Sequence, residues 1–189
     1  MPDNPLSDLG YSREAEYFRK RDQELIEKMR RAAAAEKTRQ ELSASTGLQD
    51  PEVIVELEAL GFSPDTVCLL PLVPLLEVAW AEGGVSDAER LLVVQLARSR
   101  GIADGSAAGR QLSGWLTTRP SADMFASATR LVRVMLAAAG SDQTAMTADD
   151  LVKYSETIAA ASGGIFGINR ISAEERALLQ RITAELKRQ

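Results

Sequence analysis

Residues 78–92 read VAWAEGGVSDAERLL, and residues 158–179 read IAAASGGIFGINRISAEERALL. Each stretch has a small-residue helix end, then Gly-Gly, a β-branched residue, Ser, and Glu-Arg starting three residues after the Ser. The second stretch differs by an insertion, Phe166 to Arg170. Gly83 and Gly163 suit the positive φ that closes a helix. Ser86 and Ser172 suit the N-cap, with Glu89 and Glu175 at the position that reaches back to the cap. Val85 and Ile171 precede the caps as hydrophobic staples. These signals predict two related helical hairpins, and so an all-α fold.

Working outward, the start and stop signals predict further helices. Asp50-Pro51 caps a helix that Gly61 stops. Ser63-Pro64 predicts another start, with a kink or break at Pro71 and Pro74. Leu75 to Ala81 reads as helix. Ser86 opens a helix to about Ser99, and its run of Leu91, Leu92, Val93, Val94, Leu96 and Ala97 predicts a central buried element. Helices are expected over about 106–117, from Pro120-Ser121 to Gly140, over 147–161 and over 173–187. In the second of these, Phe125, Ala128, Val132, Met135 and Ala139 form a stripe, widened by Leu131 and Leu136.

Ahead of this domain, residues 1–11 read as a flexible lead-in. Residues 12–47 read as an extended charged helix, with Ser12 as its cap and no Pro or Gly from Arg13 to Thr46. Such a helix is roughly 50 Å long. Its stripe is thin: Phe18, Leu25, Met29 and Ala32. A helix this polar does not form a core along its whole length. It is expected to dock on a protein partner, or on a second copy to make a homodimer, with Phe18, Leu25 and Met29 as anchors. The domain itself occupies residues 48–189.

Composition limits the function. The net charge is −5, which disfavours nonspecific nucleic-acid binding. Residues 12–47 hold nine Lys/Arg against seven Asp/Glu, a net +2, and residues 48–189 hold 13 against 18, a net −5. There is no histidine, which removes Ser-His-Asp, Cys-His and His-ligated metal chemistry together. No phosphate-binding loop or EF-hand pattern occurs, and no enzyme is expected. The one cysteine, Cys68, reads as a small buried hydrophobe. The longest apolar run, Val67 to Leu76, is ten residues, against about 20 for a membrane span. With no leader visible, a cytoplasmic protein is expected.

Carboxylates are the remaining chemistry. Glu77, Glu82, Asp87 and Glu89 cluster around the first Gly-Gly turn, and Asp142, Asp149 and Asp150 around a later one. Several oxygens at one turn suit a hard cation such as Ca²⁺. The competing reading is helix-end electrostatics, because acidic residues are favoured in a first turn. Glu82, at a helix C-terminus, is the first choice of ligand, and Asp87 the second.

Residues 72–101, LVPLLEVAWAEGGVSDAERLLVVQLARSRG, resemble the first hairpin of the tellurite-resistance TerB-like family, and ASGGIFGINRISAEERALLQRI resembles its second. The resemblance covers about residues 63–189. It implies an all-α bundle of about seven helices whose hairpins are related by a pseudo-twofold. It also implies an adaptor role in a bacterial stress response, beside membrane-associated complexes, with an acidic patch that binds a divalent cation. Here Ala81-Glu82-Gly83 stands for the family's Ala-Asp-Gly, and Ser162 carries no charge in the second copy. Separately, Glu16-Tyr17-Phe18-Arg19 is faintly similar to the helices of F-type ATPase inhibitors. That similarity implies an ATPase regulator acting through the N-terminal helix.

Overall fold

The computed structural model describes the backbone of residues 5–139, 147–162 and 171–188, and side chains from residue 16 onward within them, Ser162 excepted. Gly163-Gly164, the 166–170 insertion, Asp142 and the side chains of Tyr11 and Ser12 lie outside the described residues. Every regular element among the described residues is helical, as the hairpin signals predict. The chain forms two compact units, residues 1–40 and 41–189.

The first unit belongs to helix α1, Pro5–Thr46. Its backbone is helical eight residues before the expected start at Arg13, so Ser12 is inside the helix and most of the expected lead-in is helical. Proline is tolerated in a first helical turn. An interior glycine such as Gly10 costs only about 1 kcal/mol. From residue 16 to 40 almost every side chain is exposed. Ion pairs one turn apart, such as Arg31 to Glu27 at 3.1 Å, support the helix weakly.

The second unit begins inside α1, not at residue 48. Leu42 is fully buried and Leu48 nearly so, both in the core. The turn between them is pinned. Ser43 Oγ donates to the Leu48 carbonyl, and Leu48 N donates to Thr46 Oγ1 at 3.3 Å. Helix α2, Pro51–Ala59, starts as predicted, with Asp50 accepting from Glu52 N at 2.9 Å.

Ser63-Pro64 does not open an α-helix. Ser63 N donates to Thr66 Oγ1 at 2.9 Å, and the Ser63 carbonyl accepts from Thr66 N and Val67 N. This turn leads into a 3₁₀ helix, Val67–Leu72, which contains Pro71. Only then does α3, Val73–Ala79, begin, with Pro74 in its first turn. The prolines lack the N–H groups that a continuous α-helix over this stretch needs. In the 3₁₀ segment Val67, Leu69 and Leu70 point inward and Cys68 outward, so the thiol is exposed and not a core residue. Desolvation by nearby chain pushes its pKa up, which disfavours a reactive thiolate.

Helix α4 spans Asp87–Ser99, α5 Ala107–Thr117, α6 Ala122–Ala139, α7 Ala148–Ser162 and α8 Ala173–Leu186. Helix α3, not α4, is the central element: all seven of its residues are buried. It packs on α7, α6 and α8, while α4 packs on α7 and α6 on α8. In α4 only Glu89, Val93 and Ala97 are buried, and Leu91 is 54% exposed. Four consecutive apolar residues sweep about 300° of a helix, so no single core face can take them all. The α6 stripe is buried over its first half, with Phe125, Ala128, Leu131 and Val132 in the core, while Met135 and Leu136 are half-buried and Ala139 is exposed.

Helix α5 is held by three other parts of the chain. Trp80 Nε1 donates to the Trp115 carbonyl at 2.8 Å, Arg90 Nη2 donates to the Leu116 carbonyl at 2.7 Å, and Phe62 meets Trp115 edge-on. Gly109 permits the close start of α5. A Cβ there would lie 2.2 Å from the Ala103 carbonyl oxygen and 2.6 Å from that of Asp104. Both are backbone atoms that move little. Gly109→Ala should therefore destabilise by about 1–3 kcal/mol, the usual cost of overpacking. Urea melts of the two proteins check this.

Candidate docking helix and acidic turn

The first Gly-Gly turn has the predicted capping chemistry. Gly83 has φ 85°, where a side chain would be strained. Glu89 N donates to Ser86 Oγ at 3.3 Å, and Ser86 N donates to Glu89 Oε2 at 2.8 Å. The second box matches: Glu175 N to Ser172 Oγ at 3.1 Å, and Ser172 N to Glu175 Oε2 at 2.7 Å. Val85 and Ile171 pack against the core as staples. Ser86→Ala and Ser172→Ala should each cost about 1 kcal/mol in a denaturant melt.

Both capping glutamates are buried, Glu89 at 3% exposure and Glu175 at 0%. Burial raises the Glu89 pKa most, and the charges of Glu175 and Glu82 raise it further, against hydrogen bonds from Ser86 that lower it. A folded-state pKa above the unfolded one means stability is fully present at low pH and lost as pH rises through the raised value. In Glu89→Gln the amide oxygen still accepts from Ser86 N. Wild type should lose stability relative to Glu89→Gln as pH rises past the ordinary glutamate range. Melts of both proteins across pH 3–8 give the difference curve, and a flat curve contradicts the assignment.

The four carboxylates read as a cation site do different jobs. Glu89 faces its own cap. Glu77, on α3, is buried at 7% exposure and accepts from Arg181 Nη2 on α8 through Oε1. Glu82 and Asp87 are exposed. Among the described residues no group of three or more His, Cys, Asp or Glu is placed to hold a metal ion. Sequence proximity around a turn does not make carboxylates converge when two of them are drawn inward to separate partners.

The later acidic group resolves similarly. Thr147 and Asp150 form a third reciprocal cap: Asp150 N donates to Thr147 Oγ1 at 3.1 Å, and Thr147 N donates to Asp150 Oδ2 at 3.0 Å. Those bonds from Thr147, the backbone one first, hold the Asp150 pKa below its ordinary value. Asp149 pairs with Lys187 at 2.6 Å. The Thr-x-x-Asp spacing was the signal for this cap.

The N-terminal stripe lies open. Phe18 is 57% exposed, Leu25 56% and Met29 64%. Tyr17 and Ile26, which the stripe did not include, are exposed as well. Tyr17 meets Phe18 edge-on at 5.9 Å, and the Arg21 guanidinium lies 5.9 Å from the Tyr17 ring centroid. A second open apolar feature lies between α4 and α7. It is a groove of about 300 Å³ lined by Leu92, Gln95, Leu96, Tyr154, Thr157 and Ile158, together with Ser99. A neighbouring hollow shares Leu92 and Thr157 with it. Reading the sequence missed this groove, because its walls are distant in the chain.

No helix among the described residues is long and apolar enough to cross a membrane. Compared with known proteins, the chain matches no family model, no curated protein and no solved structure.

Proposed function

We propose that this chain is a non-catalytic adaptor or regulator of the TerB-like kind, which binds a protein partner through α1 in a bacterial stress response. The single observation that carries the binding role is the open stripe of Phe18, Leu25 and Met29 on a charged helix. Three large apolar side chains on one face, left in water, are what a helix-in-groove contact uses as anchors. Among the described residues, the seven α-helices that follow α1 and the paired capping boxes of α4 and α8 support the TerB-like reading. A cation is not part of this proposal, because Glu77 and Glu89 are occupied elsewhere.

The test is capture from an extract of the native cell. Baits are the full chain, residues 41–189, and Leu25→Ser. The proposal expects a partner held by the full chain and lost from the other two. The same proteins held by all three would contradict a role for α1.

A further inference from the structure

We propose that the cavity between α4 and α5 binds a small aliphatic monocarboxylate, whose carboxylate sits on the Arg90 guanidinium. The site shares no residue with α1, so it stands apart from the docking role proposed for that helix.

The cavity measures about 290 Å³, at the small end for ligand sites. Its floor is aliphatic: Ala97 on α4, Ile102 after that helix, and Leu112 and Leu116 on α5, all buried. Half-buried Val94 stands in its wall. At about 30 Å³ for each water-sized group, the volume takes roughly ten non-hydrogen atoms. Octanoate has that size.

Charge names the other end of the ligand. The charged side chains that line the cavity are Arg90, Arg98 and Asp104. Asp104 is taken by Arg98, which donates to both of its carboxylate oxygens through Nε and Nη2. The charge left over is that of Arg90. Among the described residues the half-buried arginines are Arg90, Arg130 and Arg133. Arg130 lies on Glu56, and Arg133 on Glu185. Arg90 has no carboxylate partner among the described residues, and its Nη2 donates to the Leu116 carbonyl at 2.7 Å. A cation partly withdrawn from water without a counter-ion is unfavourable, and an anion in the cavity offsets that cost.

The contact with Leu116 also selects among anions. It uses one guanidinium N–H and fixes the group at the cavity, and the remaining donors keep the planar fork that matches a carboxylate. Leu116 belongs to the last turn of α5. There the helix dipole is negative, so a second negative charge is disfavoured. One cation beside a helix C-terminus, over an aliphatic floor, suits a monoanion with a hydrocarbon body and not phosphate.

Titration of sodium octanoate into the full chain, followed by amide NMR shifts, is the test. Octan-1-ol and inorganic phosphate are the comparison ligands. Octanoate should saturate at millimolar concentration or below and shift the amides of residues 90–98 and 109–116. Octan-1-ol has the same chain without the charge and should bind about tenfold or more weakly, the usual worth of a hydrogen bond to a charged group. Arg90→Gln should lose about tenfold for octanoate and nothing for octan-1-ol. Val94→Trp, which fills the cavity beside Arg90, should lose octanoate. A urea melt shows that this variant folds, and the comparison of ligands on wild type needs no variant.

The absence of saturable octanoate binding to wild type overturns the inference. So does octan-1-ol that binds wild type as tightly as octanoate, which means an apolar cavity without a carboxylate site. Phosphate that binds as tightly as octanoate means an anion site without a place for the hydrocarbon body, and the inference falls. Octanoate held equally by wild type and by folded Val94→Trp puts the ligand elsewhere, as in the groove between α4 and α7, and the inference falls again.

Discussion

Leu42→Ala should destabilise the helical domain by about 2–5 kcal/mol, the cost of emptying a fully buried leucine site. Leu42 has no exposed surface, and it belongs to the same core as Leu48, Ile54 and Leu57. The expectation separates the last turn of α1 from the rest of it. Leu25→Ala, on an exposed site, should change stability by less than about 0.5 kcal/mol. Truncation gives the same contrast. Residues 41–189 should melt in urea close to the full chain, whereas residues 48–189, which lack Leu42, should melt at clearly lower denaturant. Equal midpoints for the two truncations would mean that Leu42 is not in the core.

The second large effect is expected at Arg181. Glu77 is almost fully buried on the central helix, and its Oε2 has no hydrogen-bond partner among the described residues. Its Oε1 depends on Arg181. Removing Arg181 leaves a buried carboxylate without that cation, and such a group costs about 1–3 kcal/mol or more. The Arg181 side chain is 52% exposed, so water screens part of the pair and the lower half of that range is expected. Arg181→Ala in a Glu77→Gln background should lose much less, because the buried charge is already gone. A double-mutant cycle by urea melts reads the coupling. Additive losses would mean the two side chains act independently.

Much of the fold was legible because its signals are local. Ser86, Ser172 and Asp50 cap where the sequence placed them, and the positive φ of Gly61 and Gly83 ends helices as expected. What failed to read was what depends on tertiary packing. Leu42 looks like one more residue of a charged helix, and only the fold reveals that it turns into the core. The apolar run in α4 looks more buried than α3, yet α3 lies among three helices and α4 on the flank. Glu77 and Glu89 look like ligands beside a turn, and their partners, Arg181 and the Ser86 backbone, decide otherwise. The open stripe of Phe18, Leu25 and Met29 was legible because it is local: its residues recur at helical spacing within one charged helix, and they are exposed.

Amide hydrogen exchange over residues 16–40 tests the central claim, that this stretch of α1, ahead of Leu42, is a docking helix and not part of its own domain's core. A helix with only an exposed stripe and a few one-turn ion pairs is marginal in water. At concentrations where the full chain sediments as a monomer, these amides should exchange fast while those of α3 stay protected. Protection should appear over Phe18 to Met29 when a partner chain binds, and Leu25→Ser should abolish it. Strong protection of residues 16–40 in the dilute monomer would contradict the account.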